Sequence, residues 1–256
     1  AIVHSPVSGT VKALSDAATP AGGTATGIEI ETDPEQEAAA PIDIPPDHTT
    51  ADARTLLDIV KAAGIAGMGG AGFPTHVKLA PPKNKPIDTV LVNGAECEPY
   101  LNADNRLMIE RADDIWTGCR IVRRILGADT LYVVIEDNKP DAIEAMRKAM
   151  ADADDHAGIA VVETCYPQGA EKQQIYAVTG RTVPSGGLPM DVGAVVQNVG
   201  TTLAIADAVT KGKPLTERVT TVTGHTVSAP ANLLAPIGTP YHVLLDACGG
   251  STAPAA

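Results

Sequence analysis

Between Ile87 and Glu163 the chain repeats one pattern: a short apolar run, a longer stretch with helical spacing, then another apolar run. The runs are Ile87–Asn93, Thr130–Ile135 and Ile159–Glu163, and the stretches between them cover about 104–126 and 139–150. Strands that alternate with helices cannot pair as hairpins. They predict βαβ units, a parallel sheet and helices packed on its faces. Ahead of the first strand, Thr50 is a good N-cap, Leu56, Leu57 and Val60 recur at helical spacing, and Gly64 is a natural stop. A further helical stretch is expected over 197–210. Residues 50–214 are therefore read as one α/β domain with a Rossmann-like parallel sheet.

The flanks have a different texture. Residues 1–32 are short, rich in Gly, Ala and Thr, and β-like: Val7–Val11 reads as strand and Thr26–Glu31 alternates apolar and polar. Residues 33–49 are acidic and rich in Pro and Ala, an extended linker. After Pro214 the chain turns β-rich again, with Val219–Gly224 opening a small domain over 215–256 that is expected to be incomplete at Ala256. The start, Ala1-Ile2-Val3-His4-Ser5, has neither an initiator Met nor a basic leader and is read as a boundary inside a longer protein.

Charge and cysteine usage exclude several classes. A formal net charge of −12 repels nucleic-acid phosphates and anionic headgroups, so neither is expected as a direct partner. No apolar run approaches the roughly 18–20 residues that span a bilayer. The four cysteines, Cys97, Cys119, Cys165 and Cys248, stand 22, 46 and 83 residues apart. Without a C-x-x-C pair among them, no metal or cluster site is expected on this chain, and a reduced interior fits better than a disulfide framework.

Four segments carry candidate chemistry. In Gly67-Met68-Gly69-Gly70-Ala71-Gly72-Phe73-Pro74-Thr75, four glycines in six residues clear side chains from a run of backbone, so N–H groups can converge on a phosphate and a flat ring can approach. This loop follows a helix, whereas the usual dinucleotide fingerprint follows a strand, so the ordinary G-x-G-x-x-G reading is rejected. Phe73, the chain's one Phe, adds an aromatic corner or is simply core, and Lys78 supplies a cation. Asn93 to Tyr100 follows the first strand at its carboxyl end and brings Glu96 and Glu98, either ligand contacts or a solvated pair. Cys97 between them is expected to be inert. Tyr166 to Lys172, with Gly169 and Glu171, follows the third strand, and Gln197 to Thr202 opens the later helix with Asn198 and Thr201. All four are expected to converge on one sheet edge.

These residues resemble a known family. Gly67 to Lys78 is similar to the flavin loop shared by the Rnf C subunit and the flavin-carrying, NADH-oxidising subunit of respiratory complex I. Asn93 to Met108 points to the Rnf branch, and Glu136–Pro140, Val183–Gly187 and Gln197–Thr201 also look like it. His4–Val11 resembles that family's barrel-sandwich hybrid, and the chain from Thr216 its soluble-ligand-binding (SLBB) β-grasp domain. The resemblance implies that Gly67, Gly69, Gly70, Gly72 and Lys78 hold the phosphate and ring of FMN, with Asn93, Glu96, Asn198 and Thr201 around the flavin. It places Phe73 and Glu98 against NAD(H), and Tyr166, Gly169 and Glu171 along the same cavity. Met68, Ala95 and Ala170 depart from the complex I pattern, which has Arg, Asp and Glu there.

The function implied is hydride transfer from NADH to FMN, with no side chain acting as a nucleophile. Electrons then pass through two [4Fe–4S] clusters to ferredoxin. The family binds those clusters through C-x-x-C-rich runs in a C-terminal segment not found in this chain. The implied setting is peripheral, on the cytoplasmic side of the cell membrane, among the other Rnf subunits, with ferredoxin an indirect partner. Two other readings compete: a cobalamin-reductase-type flavoprotein, and an assembly scaffold whose flavin site has degenerated.

Overall fold

A computed structural model describes residues 2–19, 22–37 and 40–252. Its centre is a four-stranded parallel sheet of β3 (Thr89–Asn93), β4 (Thr130–Glu136), β5 (Ala157–Val162) and β6 (Ala194–Asn198), in the spatial order β5-β4-β3-β6. Helices cover both faces, so β3 is buried along nearly its whole length. On one face Val90, Val92, Leu131, Val133, Ile135 and Val195 pack with the helices α1 (Ala53–Ala62), α4 (Ala112–Leu126), α5 (Pro140–Ala149) and α7 (Val199–Lys211). On the other, Leu91, Val134 and Val196 meet Ile175 of α6 (Glu171–Thr179). The fold is the α/β architecture expected.

Several element boundaries differ from those read in the sequence. Asp52, not Thr50, caps α1: its carboxylate accepts the Thr55 N–H at 2.8 Å. The stretch 104–126 is two helices, α3 (Ala103–Glu110) and α4, broken at Arg111. Arg111 leaves helical geometry and sends its guanidinium to Asp114 at 2.7 Å and Asp207 at 2.9 Å. The stretch 197–210 begins not with helix but with the end of β6, which hands directly to α7 at Asn198.

That fourth strand decides where a ligand can sit. The chain winds outward from β3 through β4 to β5, then returns past β3 to β6. The connection out of β3, through α4, and the one into β6, through α6, therefore lie on opposite faces of the sheet, and a crevice opens between the carboxyl ends of β3 and β6.

The flanking parts are small. β1 (Gly9–Ala18) and β2 (Thr24–Thr32) form an antiparallel ribbon with a bulge between Val11 and Ala13 and almost no buried residue. β7 (Glu217–Val222) and β8 (Ala231–Pro236) pair antiparallel, followed by α8 (Tyr241–Ala247).

The tightest helix contact is α4 on α7. A Cβ built on Gly118 lies 2.2 Å from the Thr202 carbonyl oxygen, backbone that cannot swing aside. Gly118→Ala is expected to destabilise the chain by about 3 kcal/mol, read as a lower urea midpoint. Gly158→Ala, whose Cβ meets nothing closer than 3.9 Å, is the control and should shift it by less than about 1 kcal/mol. Equal midpoints for the two variants would show that the helices can part.

Candidate functional site

The Gly-rich loop is pinned at its base. Gly67 donates to the Phe73 carbonyl at 2.8 Å and Thr75 to that of Ile65 at 3.0 Å, so residues 66–74 close into a lariat between α1 and the short helix α2 (Thr75–Lys78). Gly70 and Gly72 have φ of +117° and +61°, where side-chain-bearing residues are strained. Its outer part is tied to the start of α7: the Met68 N–H donates to Thr201 Oγ1 at 2.9 Å. Asn198 caps that helix, accepting the Thr201 N–H at 3.0 Å, and donates to Asp104 at 2.7 Å.

The opposite wall comes from β3 and the turn before α6. The Asn93 carboxamide donates to the Gly169 carbonyl at 2.9 Å and accepts from the Ala95 N–H and from the buried Gln174 at 3.0 and 2.7 Å. Gly169 admits no side chain, because its Cβ would stand 2.9 Å from the Ala95 carbonyl. Lys78 Nζ bridges Glu171 at 2.6 Å and the Val196 carbonyl at 2.9 Å, leaving one ammonium proton for another acceptor.

These segments enclose a cleft of about 100 Å³ at the switch point. Gly67, Gly69, Gly72, Phe73, Lys78, Asn93, Gly169, Glu171, Asn198 and Thr201 line it, ten of the fourteen candidate residues. Larger hollows of about 470 and 740 Å³ lie elsewhere, beside α4 and α5 and beneath the N-terminal segment, but no candidate residue lines them. Thr75 and Gln197 also line the cleft. Each is almost fully buried, and Thr75 Oγ1 and Gln197 Oε1 have no hydrogen-bond partner among the described residues. Orphaned polar atoms in a cleft are costly unless something completes them. Sequence reading had not singled out either residue, because an orphaned oxygen is a property of packing. Phe73 is 47% exposed, so it is not core.

Four candidates lie outside the lining. Gly70 belongs to the loop but faces open space. Glu96, 8% exposed, gives its carboxylate to the N–H groups of Asp104 and Asn105 at 3.1 and 3.2 Å, where it caps α3. Glu98 and Tyr166 are exposed nearby. Cys97 accepts from the Gly169 N–H at 3.2 Å. Burial, helped by the Glu98 and Glu136 charges, pushes its thiol pKa up, consistent with an inert side chain. At the three departures from the complex I pattern, the local contacts are made by backbone: Met68 and Ala95 through their N–H groups, and Ala170 through its carbonyl to the Gln174 N–H.

Comparison with known proteins follows this geometry. Residues 60–207 match the model of the Nuo51 FMN-binding domain, and residues 219–256 match that of the SLBB domain. The chain is 48% identical over 248 residues to the C subunit of a proton-translocating ferredoxin:NAD(+) oxidoreductase complex from Clostridium ljungdahlii, covering 97% of this chain and 54% of that one. It is 43% identical over 248 residues to the C subunit of the Na(+)-translocating counterpart from Acetobacterium woodii, covering 97% and 56%. The chain thus spans about half the length of these curated relatives. Both names agree with the Rnf branch read from residues 93–108. Two crystal structures of an NAD+-reducing [NiFe]-hydrogenase, H2-reduced and air-oxidised, superpose with TM-scores of 0.63 and 0.64 at 24% identity. They cover 79% and 77% of this chain and 40% and 39% of theirs, a likeness of fold.

Asp104 has the clearest pH signature. Burial, then the neighbouring Glu96 carboxylate, raises its pKa from 3.8 to about 6. Above that pH the folded chain carries a charge it disfavours. The resulting cost disappears as pH falls towards the unfolded value, where both states are protonated. Asp104→Asn keeps an acceptor for Asn198 without the charge. It should raise the urea midpoint at pH 8 by an amount worth on the order of 1–2 kcal/mol and leave it unchanged near pH 4. An equal midpoint at pH 8 would show that the carboxylate is better solvated than its surroundings indicate.

Proposed function

Because the chain belongs to the family of the Nuo51 FMN-binding domain, we propose that it holds FMN in the switch-point cleft and exchanges electrons between that flavin and NAD(H). It does so as the flavin-bearing part of an Rnf-type C subunit. The observation that carries this is the pair of buried, unpartnered oxygens of Thr75 and Gln197 inside a glycine-walled cleft that also holds a cation. A flavin mononucleotide has the matching parts: ring N–H and ribityl hydroxyl donors, a flat face and one phosphate.

FMN, when bound, supplies acceptance of a hydride and release of electrons one at a time. The chain's residues bind, orient and shield. Gly67, Gly69 and Gly72 let backbone approach a ring and a phosphate closely. Lys78 offers its remaining proton to an anion. Asn93, held by Gln174, Ala95 and Gly169, has one amide proton left to orient a ligand carbonyl. Thr201 and Asn198 keep the loop against α7. Phe73, Glu98 and Tyr166 stand exposed beside the cleft, where a dinucleotide arriving after the flavin can stack and hydrogen-bond. Positioning of this kind is what the protein contributes to a hydride transfer.

Onward transfer is assigned to two [4Fe–4S] clusters on a further segment of the full-length protein, then to ferredoxin. Among the described residues no group of three or more His, Cys, Asp or Glu is placed to hold a metal ion. No helix among them is long and apolar enough to cross a membrane; the place assigned to the subunit, peripheral and on the cytoplasmic side among other Rnf subunits, is part of this proposal.

The test is flavin titration followed by anaerobic NADH. The 256-residue chain should quench FMN fluorescence and bind FMN in preference to FAD, and NADH should bleach the bound flavin's visible band. Gly70→Val forces a β-branched residue to φ +117° and should weaken FMN at least about tenfold with an unchanged circular dichroism spectrum. A chain that stays colourless in excess FMN would favour the scaffold reading. Tight binding by Gly70→Val would reduce the loop to a connector.

A further inference from the structure

The C-terminal domain touches the Gly-rich loop of the cleft and the segment between β3 and α3. Arg218 on β7 donates through Nη2 to the Met68 carbonyl at 3.4 Å, in the Gly-rich loop. Thr221, on the same strand, accepts from the Asn102 N–H at 3.5 Å, and His225 meets Tyr100 edge-on with ring centroids 6.1 Å apart. Tyr100 is the one non-glycine at positive φ among the described residues, at +70°, so the chain bends there against its preference while presenting its ring to the small domain. Three contacts thus fix where Arg218 stands: over Met68, with Asp104, the partner of Asn198, within reach of its charge.

Charge gives Arg218 a task. The surroundings are acidic: Glu171 lines the cleft, Glu98 is exposed nearby, and Glu96 and Asp104 lie buried and half-buried at the start of α3. Lys78, the one cation on the cleft lining among the described residues, already spends two of its three protons on Glu171 and Val196. A phosphate entering here meets carboxylates. Among the described residues the Arg218 guanidinium has only long hydrogen bonds, to the Met68 carbonyl at 3.4 Å and to the Val219 carbonyl at 3.5 Å, and its side chain is exposed. Most of its five donors have no short partner, in the planar arrangement that suits a phosphate.

We propose that Arg218 is a phosphate-binding residue of this cleft, so that the C-terminal domain forms part of the nucleotide site. The assignment rests on the flavin and NAD(H) reading above. The phosphate is that of FMN or the pyrophosphate of the dinucleotide; the chemistry is the same and the test separates them.

Arg218→Gln and Arg218→Lys are made in the whole chain and checked for an unchanged urea midpoint. FMN and riboflavin are titrated by fluorescence. NADH and reduced nicotinamide riboside, which lacks phosphate, are then titrated on the FMN-loaded protein. Arg218→Gln should weaken one phosphate-bearing ligand about tenfold, the loss of a charge-assisted bond, and leave its phosphate-free counterpart within about twofold. Loss on FMN alone assigns the flavin phosphate; loss on NADH alone assigns the pyrophosphate. Arg218→Lys should recover part of the loss, and raising the salt concentration should narrow the gap between wild type and Arg218→Gln. Equal binding of all four ligands by Arg218→Gln and wild type overturns the proposal, as does equal weakening of FMN and riboflavin, which would mark a structural role. A wild-type chain that binds no FMN sinks the reading of the site itself, and this assignment with it.

Discussion

The Asn198 carboxamide sits where β6 stops and α7 starts, and the cleft is assembled around it. Its oxygen caps α7 through the Thr201 N–H. Its amide nitrogen holds Asp104 at the first turn of α3. Thr201, fixed by that cap, takes the Met68 N–H and so anchors the Gly-rich loop. One side chain therefore joins a strand, two helices and a loop that are far apart in sequence. A strand passing straight into a helix needs an N-cap in any case. Here the same residue also borders Gly69 of the loop, at 3.4 Å from where a Cβ there would lie.

Asn93 plays the corresponding part on the other wall. Its oxygen is saturated by Ala95 and Gln174, and one amide proton goes to Gly169. The turn before α6 is thus held by a strand end through side-chain bonds, as the Gly-rich loop is on the opposite side. Met68, Ala95 and Ala170 take part in these walls through backbone groups. The bonds that shape the cleft there run through backbone groups, which any residue but proline supplies.

The legible parts of the sequence were those in which local pattern and global environment agree. β3 and β4 have continuous apolar centres, Val90–Val92 and Leu131–Ile135, because helices cover both faces, and α4 has a wide apolar stripe facing that sheet. β6 escaped notice because Ala-Val-Val-Gln-Asn is five residues long and runs without a loop into α7. α6 escaped because Gln174 is buried among polar neighbours, so its sequence shows little helical stripe. Four glycines in six residues made the loop visible, since only backbone geometry accounts for them. Glu96 was placed beside the ligand because a carboxylate's direction is not written in its neighbours; the fold turns it onto the N-terminus of α3. Thr75 and Gln197 acquire their meaning only when packing leaves them without partners.

The acidic groups around the cleft differ in how they are compensated, and that ordering follows from geometry. Glu96 accepts from two helix N–H groups, those of Asp104 and Asn105. Glu136 is almost fully buried with neither oxygen hydrogen-bonded, and burial raises its pKa. The Lys139 ammonium, 3.7 Å away, opposes that shift. Asp104 has the neutral Asn198 amide as its hydrogen-bond donor and the more distant Arg218 charge, against burial and the Glu96 charge. Its pKa is pushed up to about 6. Its proton and the loop anchor share one residue, Asn198. A change of charge at Asp104 thus acts on the same carboxamide that holds Thr201, and through Thr201 on the backbone of Met68. A carboxylate outside the lining is thus built into the frame of the cleft.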